Sequence, residues 1–250
     1  MQQVFVEDSD IQDNLIKVAG EDAHHLSNVL RMKIGEMLRI SNQSGESFLC
    51  EVSQISQEEV LCEIVERNYK ETELKGEILL FQALPKGERL EFVTQKTTEL
   101  GVTEIYPVAM DFCITKWEPS KAAKKQARYQ AIADAAAKQS KRSKLVKFNS
   151  VVSFDEALKL AKEKADIILL PYENEEGMVG SKKALDEIKK DTRIAIFIGP
   201  EGGFSEKEIE KAKPDAKLLS LGKRILRTDT AAVLAVGMVM LKMELDDDIS

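Results

Sequence analysis

The first part of the chain is a series of short segments in which apolar and polar positions alternate. These segments are VFVED, LIKVA, MLRISNQ, SFLCEVSQI and EEVLCEIVE, and turn residues separate them. Alternation with a period of two is typical of β-strands that bury one face. One helical pattern, AHHLSNVLRM, interrupts the strands and ends before Gly35. We therefore predict a compact β-barrel-like domain that contains one helix.

From Glu77 onward, apolar runs alternate with helical patterns. The runs EILLFQALP, DIILLPYE and RIAIFIGPE are almost continuously apolar, and a segment with helical periodicity follows each of them. Such an alternation is typical of an α/β domain whose parallel sheet is covered by helices on both faces. The polar segment 67–76 has no apolar period, so we predict a linker there. The predicted domains are residues 1–70 and 71–250.

The composition is that of an ordinary globular protein, with 43% hydrophobic and 32% charged residues among 250. We see no apolar run long enough to span a bilayer and no signal peptide in MQQVFVEDSD, so we expect a cytoplasmic protein without a membrane partner. The three cysteines have irregular spacing and the two histidines are adjacent, which indicates neither a disulfide framework nor a metal site.

The charge is unevenly distributed along the chain. The net charge is −7, yet the segment from Lys116 to Lys147 has ten basic and two acidic residues. Such a basic block indicates a nucleic-acid partner, although a solvated helix face is the alternative explanation. Helical spacing predicts one shared face for a set of residues within it. These are Arg128, Ile132, Ala135, Gln139 and Arg142.

Unusual residues follow three of the predicted strands, in DIILLPYENEEG, IAIFIGPEGGFSEKEIE and KLLSLGKRILRTDTAAVLAV. Ligands of parallel sheets bind at the carboxyl ends of strands. The glycine loop lacks the patterns of a P-loop or a dinucleotide site, and Glu201 within it would repel a phosphate. A cationic ligand such as S-adenosylmethionine fits better. Alternatively, Gly202 and Gly203 form an ordinary turn that leads into a helix.

Several motifs, taken together, resemble those of one family. IGPEGGFSEKE with LGKRILRTDTAA resembles the paired C-terminal signature of the RsmE family of the SPOUT superfamily. HHLSNVLRMKIGE, ALPKGERLEFVTQKTTELGVTEIYP and RYQAIADAAAKQSKR resemble further motifs in the family's order, so the resemblance extends over nearly the whole chain. It implies an RNA methyltransferase that uses S-adenosylmethionine to methylate N3 of a uridine in 16S ribosomal RNA of the small ribosomal subunit.

The resemblance also implies an architecture. Residues 1–70 would form a PUA-like β-barrel that binds RNA, and residues 71–250 a SPOUT methyltransferase domain with a deep C-terminal trefoil knot. The family resemblance implies a homodimer. The last helix, TAAVLAVGMVMLKME, is apolar on nearly all sides, which predicts that it is buried and leaves one side for a dimer mate.

Site residues are assigned through the same motifs. The expected catalytic residues are Arg227, which would stabilise charge on the uracil, and Glu201, while the general base is open between Glu201, Asp229 and a water. The expected cofactor residues are Leu170, Pro171, Tyr172, Glu173, Ile198, Gly199, Pro200, Glu201, Gly202, Gly203, Leu219, Ser220, Leu221, Gly222, Ile225, Leu226, Arg227, Thr230 and Ala231. The expected RNA-facing residues are Arg31, Lys86, Arg89, Gln95, Lys96, Glu99, Arg128, Gln139 and Arg142.

Two positions depart from the family pattern, and other functions stay open. Lys138 and Asp229 each stand where the family commonly has glutamate, and Arg227 has the alternative role of pairing with Glu201 or Asp229. The alternative functions are a ribose 2′-hydroxyl methyltransferase of the same superfamily, a non-catalytic RNA-binding or ribosome-assembly factor, and a nucleotide-dependent oxidoreductase.

Overall fold

A computed structural model describes residues 1–56, 58–172 and 178–248. The chain divides into two compact units. The first consists of Met1–Glu73 and Ala137–Leu145, and the second of Leu74–Ala136 and Val146–Ser250. The segment 137–145 is thus far in sequence from the rest of its unit, which the apolar pattern did not predict.

The first unit is built on a six-stranded sheet. Its strands are β1 (Gln2–Val6), β2 (Ile11–Gln12), β3 (Leu15–Ala19), β4 (Met37–Asn42), β5 (Ser47–Ile55) and β6 (Glu59–Arg67). Their order is β1-β4-β5-β6-β3-β2, with β1 and β4 parallel and the other pairs antiparallel. Within the described residues no pairing joins β1 to β2, so the predicted barrel is an open sheet.

Alternate residues of these strands form the core of the first unit. Phe48, Cys50 and Val52 of β5 are buried, as the alternation predicts. The predicted helix is present as α1 (Gly20–His24) followed by a π-helical segment (His25–Val29). Burial raises the pKa of the Cys50 thiol to about 12, as expected of an inert core cysteine.

The second unit contains a seven-stranded, wholly parallel sheet. Its strands are β7 (Glu77–Ala83), β8 (Glu104–Ala109), β9 (Lys147–Phe148), β10 (Val152–Ser153), β11 (Ile167–Pro171), β12 (Arg193–Ile198) and β13 (Ala216–Leu219). The order is β10-β8-β7-β12-β11-β13, and β9 also pairs with β8. Its helices are α2 (Arg89–Glu99), α3 (Pro119–Ser140), α4 (Phe154–Lys164), α5 (Val179–Asp186), α6 (Glu206–Ala212) and α7 (Thr228–Asp248). The end of α3, from Ala137, belongs to the first unit.

Successive residues of the central strands enter opposite cores. Leu80 packs in a cluster that contains residues of α2 and α7, whereas Leu79 and Phe81 pack in a cluster that contains residues of α4 and α6. The Phe81 ring stacks between Tyr106 and Phe197, with centroid distances of 4.7 and 4.6 Å. The predicted parallel sheet with helices on both faces is confirmed. No helix in the described ranges has the length and apolar character of a membrane span.

Helix α3 ends earlier than the predicted face requires. Lys141 has a φ of 64°, a left-handed conformation that cannot continue an α-helix. Arg142 therefore lies beyond the helix, and its predicted place on a face with Arg128 and Gln139 is wrong. Its guanidinium turns inward and pairs with the Glu73 carboxylate inside the first unit.

Candidate functional site

Three loops of the second unit enclose a cavity of about 430 Å³. They follow β11, β12 and β13, whose carboxyl ends lie at one edge of the sheet, as expected for parallel strands. The start of α7 closes the cavity. The lining residues are Arg89, Pro171, Tyr172, Ile198, Gly199, Pro200, Glu201, Gly203, Phe204, Ser220, Leu221, Gly222, Arg224, Ile225, Leu226, Arg227, Thr228 and Ala231.

Most residues that the resemblance assigned to a cofactor line this cavity. Four of the expected residues do not. Leu170 and Leu219 are core residues, Gly202 packs against Phe112, and the Thr230 side chain is exposed. Glu173 lies outside the described residues.

Phe204 and Thr228 also line the cavity, although the sequence motifs did not assign them to the cofactor. Arg224, another lining residue, lies within the loop 219–227 that the resemblance did assign to the pocket. Phe204 and Thr228 each stand next to a residue that was assigned to the cofactor, so their position in the chain could have indicated that they line the cavity. Arg89, which was expected to face RNA, also lines the cavity, and no local pattern indicated this.

The glycine loop that follows β12 makes a tight turn. The Gly203 amide donates to the Pro200 carbonyl at 2.9 Å, and Gly203 has a φ of 72°, which favours glycine. A Cβ at Gly199 would lie 3.2 Å from the Phe204 ring. A side chain at Gly199 would therefore crowd Phe204 and the backbone of Gly203 within the same loop.

The Glu201 carboxylate is held by two donors. Oε1 accepts hydrogen bonds from the Arg89 guanidinium and from the Lys86 backbone amide, the latter at 3.1 Å. Burial by itself raises the pKa of Glu201, but the backbone hydrogen bonds and the positive charge of Arg89 outweigh it and lower the pKa. Glu201 is thus an ionised residue whose charge Arg89 compensates. Because Arg89 compensates it, the charge of Glu201 does not by itself explain why the cavity would select a cationic ligand.

Arg227 is exposed at the cavity and has a guanidinium without a hydrogen-bond or ion-pair partner in the described part of the chain. The alternative role, pairing with Glu201 or Asp229, is not observed. Glu201 binds Arg89, and Asp229 Oδ2 lies 3.9 Å from Nε of Arg89. Arg227 is therefore available to a ligand.

A buried hydrogen-bond chain lies behind the cavity wall. Nε2 of Gln82, at the end of β7, donates to Oγ1 of Thr228 at 3.0 Å. The Thr228 hydroxyl donates in turn to the Gly199 carbonyl at 2.7 Å. These two hydrogen bonds connect the end of β7 to the first residue of α7, and that residue to the glycine loop.

The other residues expected to face RNA are distributed over both units. Arg31, Lys86, Gln95 and Gln139 are exposed. Lys96 pairs with Glu99, and Arg128 pairs with Glu91. Arg142, by contrast, is only 3% exposed, so its side chain is buried within the first unit.

Lys138, one of the two departures from the family pattern, forms a hydrogen-bonded ion pair with Asp22 at 2.8 Å, and both residues belong to the first unit. No cluster of three or more residues suited to a metal ion occurs among the residues described.

Comparison with known proteins identifies the family. A model of the RNA methyltransferase domain matches residues 72–240, and one of the RNA methyltransferase PUA domain matches residues 18–65. The chain belongs to the RsmE family of RNA methyltransferases. The Ribosomal RNA small subunit methyltransferase E of Bacillus subtilis is 32% identical over 98% of each chain.

Two solved structures resemble this RsmE-family protein closely. A Legionella pneumophila methyltransferase in complex with the cofactor SAM is 31% identical, with a TM-score of 0.80 over 96% of each chain. The Ribosomal RNA small subunit methyltransferase E of Neisseria gonorrhoeae bound to S-adenosylmethionine is 28% identical, with a TM-score of 0.80 over 96% of this chain and 97% of that one. The fold is thus a PUA-like sheet and a SPOUT α/β unit, and the protein is an RNA methyltransferase.

Proposed function

We propose that this protein transfers the methyl group of S-adenosylmethionine to N3 of a uridine in 16S ribosomal RNA of the small ribosomal subunit. The observation that carries the proposal is the cavity at the strand ends. Most of the residues that the RsmE resemblance assigned to the cofactor line this cavity. The Bacillus subtilis relative is named as a methyltransferase of small-subunit ribosomal RNA, and two similar structures hold the same cofactor.

The cavity residues fit this cofactor. A volume of about 430 Å³ suits a small ligand, and the walls combine apolar side chains such as Ile198 and Leu226 with glycine backbone. The glycine backbone and apolar side chains would hold the adenosine part, and Arg224 would bind the carboxylate of the methionyl part. When bound, S-adenosylmethionine supplies an electrophilic methyl group.

Arg227 is proposed to stabilise the uracil during the reaction. N3 of uridine carries a proton, and its loss places negative charge on the ring oxygens. An arginine stays protonated and donates through a planar fork, so Arg227 can offset that charge. Glu201 is a weak proton acceptor because its pKa is lowered and Arg89 occupies it. The proton from N3 would therefore pass to Asp229 or to water.

Exposed basic residues of α3, including Arg128, are proposed to bind the RNA backbone together with the PUA-like unit. N3 lies on the pairing edge of uracil, so the target base must be unpaired or flipped out. Phosphate contacts make such binding depend on salt concentration. A cytoplasmic location follows from this substrate.

A homodimer is also proposed. Leu234, Leu241 and Leu245 of α7 are 38, 54 and 50% exposed, and their spacing of seven and four residues places them on one helix face. The predicted burial of this helix is therefore incomplete in the single chain, and a second copy would cover these leucines. The trefoil knot remains a prediction from the family resemblance, and the division at residue 70 remains a prediction from the polar segment 67–76.

The decisive test is incubation of the protein with labelled S-adenosylmethionine and unmethylated small ribosomal subunits. Label recovered in 3-methyluridine after digestion of the RNA supports the proposal. Label in a ribose-methylated nucleoside would overturn the target atom. Absence of both label and cofactor binding would favour a non-catalytic RNA-binding protein.

A further inference from the structure

Gln82 is a polar residue near the carboxyl end of β7, a central strand of the sheet. Its strand, β7, lies between β8 and β12, and its side chain has no exposed surface. A buried amide is costly unless it is hydrogen-bonded. Nε2 donates to the Ala83 carbonyl and to Oγ1 of Thr228, both at 3.0 Å. Oε1 is buried and has no partner in the described residues.

The hydrogen bonds have only one possible direction. A hydroxyl carries a single proton, and that of Thr228 is donated to the Gly199 carbonyl. Thr228 must therefore accept a hydrogen bond from Gln82, and only the NH₂ group of the amide can donate it. We call this chain from Gln82 through Thr228 to Gly199 the relay.

The relay reaches the cavity at its far end. Thr228 and Gly199 both line the cavity, whereas Gln82 does not. Gly199 is the first residue of the glycine loop, so the relay holds the start of that loop against the start of α7. In this orientation Nε2 donates to two acceptors, while Oε1 has no partner in the described residues, which indicates that a donor is needed at this position.

We propose that Gln82 is a positioning residue for cofactor binding. Its amide sets the direction of the relay and thereby holds the Gly199 carbonyl where the cofactor cavity requires it. The inference rests on the proposed function, because it takes the ligand of this cavity to be S-adenosylmethionine.

The first test removes the donor while the length of the side chain is kept. Thr228→Val removes the donor to the Gly199 carbonyl, and Gln82→Met removes the donor that orients the Thr228 hydroxyl. Each variant is expected to weaken S-adenosylmethionine binding roughly tenfold in calorimetry. Thr228→Ser keeps the hydroxyl and should recover most of the affinity lost in Thr228→Val. The matched control is Thr97→Val. Thr97 is also buried and donates to the Val93 carbonyl within α2, so this variant should bind the cofactor normally.

The second test reverses the polarity of the relay. In Gln82→Glu the introduced carboxylate can only accept a hydrogen bond, so it would draw the Thr228 hydroxyl away from Gly199. Protonation of that carboxyl restores a donor. The cofactor affinity of Gln82→Glu, divided by that of wild type, should therefore rise as the pH falls. The same ratio for Gln82→Met should stay constant. A purely structural role predicts no such pH dependence.

The outcomes separate the inference from the proposed function. Wild-type protein that does not bind S-adenosylmethionine would overturn both. Binding by wild type, together with unchanged affinity in folded Gln82→Met and Thr228→Val, would overturn the positioning role alone. Thermal unfolding of each variant establishes that it is folded.

Discussion

Arg89, the first residue of α2, donates a hydrogen bond to Oε1 of Glu201 in the glycine loop. The two residues are far apart in the sequence, and their pairing connects the start of a helix to the wall of the cavity. Glu201 is therefore better described as an anchor of the loop than as a proton acceptor. Its lowered pKa means that the anchor is charged at neutral pH.

Glu201→Gln keeps the shape of this side chain and removes its charge. We expect cofactor affinity to fall roughly two- to fivefold at neutral pH, the effect of a partly exposed ion pair. The pKa of Glu201 is lowered in the folded protein, so the Arg89–Glu201 pair stabilises the loop fully at pH values above the usual carboxyl pKa. This stabilisation is lost as the pH falls through the lowered pKa. Calorimetry at several pH values measures both effects.

The variant should therefore lack the acid-dependent loss of affinity that this pair gives to the wild type. Glu118→Gln is a matched control, since Glu118 pairs with Lys121 on the surface and does not line the cavity. Equal affinities of Glu201→Gln and wild type across the pH range would contradict the anchoring role.

Arg227→Ala should separate catalysis from cofactor binding. If Arg227 stabilises charge on the uracil oxygens, kcat should fall roughly a hundredfold or more, as for the loss of a donor to a developing oxyanion. Cofactor affinity should change little. Arg227→Lys keeps the charge without the planar fork and should recover part of the rate. Single-turnover methylation and calorimetry measure the two quantities.

Arg224→Ala provides the contrast, since Arg224 is the proposed partner of the cofactor carboxylate. It should weaken cofactor binding more than Arg227→Ala does. If Arg227→Ala reduced cofactor affinity and left kcat intact, the two roles would have to be exchanged.

Gly203→Ala tests the tight turn in the glycine loop. Gly203 and Gly20 have φ values of 72° and 65°, and a Cβ on either would meet no atom within 4 Å. Alanine at either position should cost about 1 kcal/mol of stability through backbone strain. Only Gly203 lines the cavity, so cofactor affinity should fall in Gly203→Ala and not in Gly20→Ala. Equal affinities in the two variants would show that the turn does not shape the pocket.

Local sequence signals predicted the secondary structure well. The segments SFLCEVSQI and FDEALKLAKEK coincide with β5 and α4. For α4 the reason is visible, because Ser153 and Glu156 form a capping box that starts the helix. The cavity was also predictable in outline, since the carboxyl ends of neighbouring parallel strands meet at one edge.

Partners that are distant in sequence could not be predicted in this way. Arg142 belongs to a basic segment, and the left-handed Lys141 that turns it inward to Glu73 has no signature in the pattern. Gln82 resembles any polar residue at a strand end until Thr228 is placed beside it. Such pairs depend on tertiary packing, which residue spacing does not encode.

Removal of one partner of the buried Glu73–Arg142 pair is expected to destabilise the first unit strongly. The two side chains are only 9 and 4% exposed. Burial by itself raises the pKa of Glu73, but the hydrogen bond and charge of Arg142 and the amides of Lys144 and Ser143 outweigh it and lower the pKa. Glu73→Gln leaves the guanidinium buried without an anion and should cost about 3–5 kcal/mol.

Hydrogen exchange in peptides from residues 1–73 reports this loss without depending on the other unit. The contribution of Glu73 is present above the usual carboxyl pKa and disappears as the pH falls through its lowered value, so Glu73→Gln and wild type should converge in acid. Glu59→Gln is the control, because Glu59 forms an exposed pair with Lys17 and should cost under about 1 kcal/mol. Similar hydrogen-exchange protection in Glu73→Gln and Glu59→Gln at neutral pH would mean that the first unit does not depend on the pairing of Arg142 with Glu73. Arg142 would then again be a candidate for RNA binding.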